Sequence, residues 1–292
     1  MGPGVDGNQG VATFLWRRPR LQLSLLLAGP VGWLLIAYLG SLAVLFIAAF
    51  WRLDTFSGQV VQEYGIDNFR TLVENDVYRT IALRTVLIAA AVTVTDALLA
   101  FPIAFYMAKL ARPRARALLV IAVLMPLWSS YLVKVYAWRI ILAEDGILNW
   151  ALDPFGLSGP GFGNVATWLV FSYLWLPFMI LPVYAGLERI PDSLLDASSD
   201  LGGGAWMTFR RVVLPLAFPA VVAGSIFTFS LTLGDYITPQ LVSSTQFIGN
   251  VVYTNVGVAN NLPLAAAFAT VPVVIMVLYL LAARRLGAFE AL

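Results

Sequence analysis

The chain has 292 residues, 60% of them hydrophobic and only 12% charged, with a formal net charge of +2. A soluble domain carries roughly twice that share of charge, so this chain cannot cover its apolar surface in water and belongs in a membrane. It contains no cysteine and no histidine, which excludes disulfide frameworks, Cys/His metal sites and Ser-His or Cys-His nucleophilic catalysis.

The N-terminal segment, residues 1–22, places Arg17, Arg18 and Arg20 ahead of an apolar run from Leu21 to Trp51. A signal peptide starts in a similar basic way, but this run is far longer than a signal core, and it reads as an uncleaved first span. A spanning helix needs about 20 mainly apolar residues. Six stretches qualify, at 23–50, 85–108, 117–138, 165–187, 212–233 and 265–283. The expected fold is therefore all-α and integral to the membrane, with a six-span domain over 23–283 and a tail over 284–292. Each span holds proline: Pro30, Pro102, Pro126, Pro177 with Pro182, Pro215 with Pro219, and Pro272. Kinked helices around a cavity and prolines accommodated by packing both fit that pattern.

Charge orients the spans. With the N-terminus inside, the cytoplasmic segments hold Arg17, Arg18, Arg20, Lys109, Arg112, Arg114, Arg116, Arg189, Arg210, Arg211, Arg284 and Arg285. The outer segments keep Arg52, Arg70, Arg79 and Arg139, while Arg84 and Lys134 lie within spans. This is the positive-inside pattern, with both termini cytoplasmic.

The loop between spans four and five, about residues 188–211, then stands out. From Asp196 to Pro215 it reads DASSDLGGGAWMTFRRVVLP. Pro191-Asp192-Ser193 is a helix start, with Ser193 as N-cap and Asp196 three residues on as a variant capping box. Leu194, Leu195, Ser198 and Leu201 share a side at helical spacing. The glycines at 202–204 end the helix, since glycine accepts the left-handed backbone of a C-terminal cap. A second helical stretch starts near Ala205. Such a loop helix can lie on lipid headgroups or fill a groove on a cytoplasmic partner.

The loop resembles the EAA signature of ABC-importer permeases: Glu-Ala-Ala, a glycine four residues after its first member, then Ile-x-Leu-Pro. Here Asp196-Ala197-Ser198 stands for the triplet, Gly202 is the glycine, and Val212-Val213-Leu214-Pro215 closes the motif at the same spacing. The departures are Asp for Glu, Ser for the second Ala and Val for Ile. The resemblance implies the type I importer permease fold, with this loop as a cytoplasmic coupling helix between helices 4 and 5 that docks on an ATPase. The chain has no GxxxxGK[ST] phosphate loop. ATP and Mg would then be bound by two partner ATPase subunits, alongside a second homologous permease and an extracytoplasmic binding protein, in a prokaryotic inner membrane. No nucleic-acid contact, catalytic residue or metal ligand is expected in this chain.

Two further stretches, PLWSSYLVKVYAWRIILAEDGILN (126–149) and GDYITPQLV (234–242), resemble the spermidine/putrescine branch of these permeases. IGNVVYTNV (248–256) and NNLPLAAA (260–267) fit the same branch. Importers of ferric iron share parts of the pattern and supply the alternative cargo. A polyamine calls for spaced carboxylates and aromatic faces. Trp128, Tyr131, Tyr136, Trp138, Asp235 and Tyr236 are the pathway candidates. Aromatic residues also collect at membrane interfaces for their own reasons, and Asp235 can equally cap a turn. Asp96, inside span two, is a functional candidate because an intramembrane carboxylate is costly unless paired or wet. The alternatives for it are a pair with Lys134 or Arg84, or hydrogen bonds to Thr93 and Thr95. From a different class, a proton-coupled secondary transporter would use Asp96 as its coupling group.

Overall fold

A computed structural model of the chain describes residues 19–54 and 56–286; Arg17, Arg18 and the last six residues of the expected tail lie outside them. Helix α1 (Pro19–Trp33) runs through a π-helical stretch, Leu34–Leu39, into α2 (Gly40–Ala48). Strands β1 (Arg52–Leu53) and β2 (Val60–Val61) form a small antiparallel hairpin that the all-α expectation did not include. Then come α3 (Asp67–Glu74) and α4 (Asp76–Phe105), whose end is again π-helical over Tyr106–Leu110. Helices α5 (Pro113–Trp128), α6 (Tyr131–Leu142), α7 (Ile147–Leu152) and α8 (Asn164–Glu188) follow. The expected loop carries α9 (Asp192–Asp200) and α10 (Ala205–Thr208), and a π-helical stretch, Phe209–Val213, leads into α11 (Leu214–Gly234). The chain closes with α12 (Ile237–Val242), α13 (Ile248–Gly257) and α14 (Leu262–Arg285).

Five helical stretches are long and apolar enough to cross a membrane, and the count reaches six when the bent pair α5 and α6 is taken as one broken span. The second span starts at Asp76, before the expected position, because the Asn75 side chain caps it by accepting from the Val77 N–H at 2.9 Å.

The third span differs most from expectation. Instead of one helix over 117–138, α5 and α6 meet at an angle of 92°. Ser129 and Ser130 at the break are extended, with ψ of 149° and 132°. The Pro126 carbonyl there accepts from the Ser129 hydroxyl at 2.8 Å and from the Lys134 ammonium at 3.0 Å. A helix can break at membrane depth only where freed backbone groups find such partners.

Helices α8 and α11 form the centre, packed on each other and on α4. Half of the most apolar window of each is buried, against 6% for the first span. Their close approach depends on Gly186, where a methyl group would collide with the Cβ of Ala220. Small residues at such contacts let helix backbones meet without a hydrophobic driving force from water. Around this centre, Met107, Met179, Leu187 and Val213 fill one end of the bundle, and Val92, Val135, Phe171 and Leu174 fill a second cluster.

Candidate functional site

The loop helix α9 begins at Asp192, with Pro191 as its N-cap and no side-chain capping bond. The expected Ser193 cap and its box with Asp196 therefore do not form. Proline presets the entering backbone, with φ −64° and ψ 137°, so the turn needs no side-chain acceptor. At the other end the expectation holds. Gly202 has φ +80°, its N–H donates to the Ser199 carbonyl at 2.9 Å, and the Gly203 N–H donates to the Ser198 carbonyl at 2.8 Å. This pair of bonds is the Schellman stop that left-handed glycine permits.

Only part of the expected apolar side faces the bundle. Leu195 packs against the Met179/Leu187/Val213 cluster, and Ser198 shares a hydrogen bond of 2.8 Å with Thr208. Leu201 is 89% exposed, and Leu194, Trp206 and Met207 are exposed with it. Asp196, Ala197 and Gly202 also lie on the outer surface. Of the closing motif, Val213 is buried, whereas Val212 and Leu214 are not; Pro215 stands in the first turn of α11, where its missing N–H is not needed.

Two cations, Lys109 and Arg116, tie this end together. The Lys109 ammonium donates to the Ile190 carbonyl at 2.5 Å and to the Asp192 carboxylate at 2.7 Å. That bond, and the charge behind it, hold the Asp192 carboxyl below its usual range. Arg116 reaches the Ala108 carbonyl at 2.9 Å and Glu188 at 3.4 Å. The terminal arginines Arg284 and Arg285 close α14.

Toward the opposite end of the spans, Tyr131, Asp235 and Tyr236 converge on one cavity of about 420 Å³. Sequence reasoning missed two of its walls, Trp175 and Ser230. The signal for Trp175 was present: Trp168, Phe171, Trp175 and Phe178 form an aromatic stripe at spacings of three and four. The Tyr131 and Trp175 rings lie parallel, with centroids 6.0 Å apart and planes at 11°. Tyr236 stacks on Tyr253 at 4.9 Å, and both tyrosines also line an adjoining cavity of about 400 Å³.

Asp235 is saturated from within. Its Oδ1 accepts from the Ile237 N–H at 2.7 Å and the Thr238 N–H at 3.1 Å. Its Oδ2 accepts from the Tyr131 hydroxyl and from the Thr238 hydroxyl at 3.2 Å. The turn-capping alternative is thus the one its geometry matches.

The remaining candidates do not join this cavity. Trp128 is 89% exposed at the end of α5, and Tyr136 is half exposed. Trp138 packs on Tyr173 at 5.4 Å, beside the Val92 cluster. Asp96 is fully buried between helices, and neither carboxylate oxygen has a hydrogen-bond partner. None of the four partners considered for it is engaged with it. Lys134 holds Pro126, Arg84 donates to the Gln246 carbonyl at 3.1 Å, Thr93 donates to Ala89, and Thr95 accepts from Trp168. The Ser172 hydroxyl, also buried, is the side chain that acts on Asp96, short of the geometry of a full hydrogen bond. A further cavity of about 500 Å³, walled by Phe101, Phe105, Phe209 and Phe218, offers no charged or hydroxyl group to a cation.

Residues 82–288 match the family described as "Binding-protein-dependent transport system inner membrane component". Over 99% of its length the chain is 48% identical to an inner membrane ABC transporter permease protein, YdcU, of Escherichia coli, covering 97% of that protein. It is 30% identical to the spermidine/putrescine transport system permease protein PotB of Haemophilus influenzae, over 73% of this chain and 76% of that one. Among solved structures, a chain of a bacterial alginate ABC transporter superposes with a TM-score of 0.76 at 16% identity, covering 96% of this chain and 97% of its own. A chain of the MetNI methionine ABC transporter gives 0.53 at 18% identity, over 72% and 95%. These two share the fold. The chain belongs to the binding-protein-dependent transport family and is a multi-pass permease subunit of an ABC importer, with the type I permease fold.

Proposed function

We propose that this permease carries polyamines, cations of the spermidine and putrescine type, inward across the inner membrane of a bacterium. The observation that carries the cargo is the cavity between α6, α8 and α11. It is lined by the rings of Tyr131, Trp175 and Tyr236 beside the Asp235 carboxylate. An alkylammonium chain is attracted to aromatic faces by their quadrupole and packs its methylenes on the same rings. Similarity to a spermidine/putrescine permease over 73% of the chain supports that assignment.

In this reading the arginine-rich end of the bundle is cytoplasmic, and so are both termini. The loop over 188–211 docks on one of two ATPase subunits, which bind ATP and Mg and hydrolyse the nucleotide. The exposed Leu194, Leu201, Trp206 and Met207 supply an apolar docking face, and Asp196, Ala197 and Gly202 lie on the same outer surface. A second, homologous permease completes the pathway, and an extracytoplasmic binding protein delivers cargo at the far end.

The test is uptake of radiolabelled spermidine into proteoliposomes holding this chain with its co-purified partners. ATP-dependent uptake is expected. Uptake of ferric iron in its place would overturn the cargo, and uptake driven by a proton gradient without any ATPase would overturn the class.

A further inference from the structure

We propose that Lys109 is the strut through which motion of the loop helix α9 reaches the second span. The inference rests on the reading that α9 docks on an ATPase.

The two ends of α9 are built differently. Its N-terminal end is stiff. Pro191 fixes the backbone there, and Lys109, from the π-helical end of the second span, bonds to both sides of the joint. One bond goes to the Ile190 carbonyl, just past the end of α8; the other goes to Asp192, the first residue of α9. These contacts join residues 81 and 83 positions apart. The Lys109 side chain is only 9% exposed, whereas Asp192 is 79% exposed. A cation withdrawn from water in this way holds its acceptors more firmly than a surface ion pair does. It also sits where the unsatisfied carbonyls of α8 and the first-turn acid of α9 both favour positive charge.

The C-terminal end of α9 is compliant. It leaves through three consecutive glycines, 202–204, and among the described residues its side-chain hydrogen bond to the next helix is the neutral Ser198–Thr208 pair. A push on α9 is therefore absorbed by the glycines on the side of the fifth span and passed on through Lys109 on the side of the second. Arg116 extends the same frame, linking the start of α5 to Ala108 and to Glu188 at the end of α8. Lys109 is a positioning residue in this scheme. It touches neither cargo nor nucleotide.

The chain lacks cysteine, so single-cysteine labels carry no background. Wild type, Lys109→Met and Asp192→Asn would be purified with their ATPase and compared for spermidine uptake per ATP hydrolysed. A spin-label pair at Ser199→Cys, an exposed α9 position outside the docking face, and Leu98→Cys would report whether the second span follows α9 on ATP addition. In Lys109→Met the ATPase is expected to stay bound and hydrolyse ATP. Uptake per ATP should fall about twofold to thirtyfold, the range that network residues contribute to coupling, and the label pair should change its ATP response. Asp192→Asn, on an exposed side chain whose loss does not threaten folding, should move the same ratio in the same direction. Wild-type uptake per ATP in both variants, or an unchanged label response, overturns the strut. If the wild type itself captures no ATPase and shows no ATP-dependent uptake, the docking reading falls and the strut falls with it.

Discussion

The Tyr131 hydroxyl donates to the Asp235 carboxylate, joining residues 104 positions apart across the wall of the aromatic cavity. The same carboxylate starts α12 through two backbone N–H groups. Asp235 thus holds the ring of Tyr131 parallel to Trp175, and the side chain works as a brace before it works as a charge.

This brace separates two substitutions. Asp235→Asn keeps an oxygen for the backbone donors and offers an amide to the two hydroxyls, which can accept. It should leave the KM for spermidine within a few-fold of wild type. Asp235→Ala strands several donors at about 1–3 kcal/mol for each that stays buried, and should lower the thermal midpoint in detergent and uptake together. A large rise in KM for Asp235→Asn with unchanged stability would show instead that the carboxylate pairs with cargo directly.

Trp175→Ala removes the largest aromatic face of the cavity. A cation–π contact contributes about 0.5–2 kcal/mol, so KM for spermidine should rise about two- to thirtyfold, with kcat less affected. Uptake kinetics in proteoliposomes decide it, and an unchanged KM would move the cargo path elsewhere.

Asp96 lies outside the cavity wall, with both oxygens unpartnered and the Ser172 hydroxyl also unsatisfied. Asp96→Asn conserves volume and replaces a costly intramembrane carboxylate with a neutral amide. ATP-driven uptake should persist at the wild-type rate. Complete loss of uptake in a folded Asn variant would show that the carboxylate itself serves the ATP-driven transport cycle.

Gly202 has open space around the position of a Cβ, but its φ of +80° penalises any other residue. Gly202→Ala should destabilise the loop by roughly 1–2 kcal/mol and weaken capture of an ATPase. Gly202→Trp adds bulk on the docking side and should abolish capture without unfolding the spans. A pull-down compared with the circular dichroism of each variant checks both.

The Asp192 carboxyl is held below its usual range by Lys109. Its contribution is therefore complete above the unfolded value of 3.8 and disappears only as pH falls through the still lower folded value. The ratio of wild-type to Asp192→Asn uptake per ATP should stay constant from about pH 5 to pH 8. A ratio that collapses near neutral pH would show that another group controls the clamp.

The primary structure by itself determined the membrane class, the helical multi-span fold and the place of the loop. Apolar runs of spanning length, the clustering of arginine and lysine, and the spacing from Asp196 through Gly202 to Pro215 are local properties that need no partner to be read. The stop at Gly202 was legible for the same reason, because a left-handed helix end is a matter of one residue's backbone. Tertiary packing decided the rest. Lys109 meets Asp192, and Tyr131 meets Asp235, only because α4, α6, α8 and α11 bring residues 83 and 104 positions apart into contact. The break at Ser129–Ser130 also escaped prediction, since Pro126 to Trp138 is mainly apolar on both sides of it, Lys134 apart. In a lipid solvent apolarity says that a segment is inserted, not which face it turns to a neighbour, and that choice rests on close packing and on side-chain hydrogen bonds.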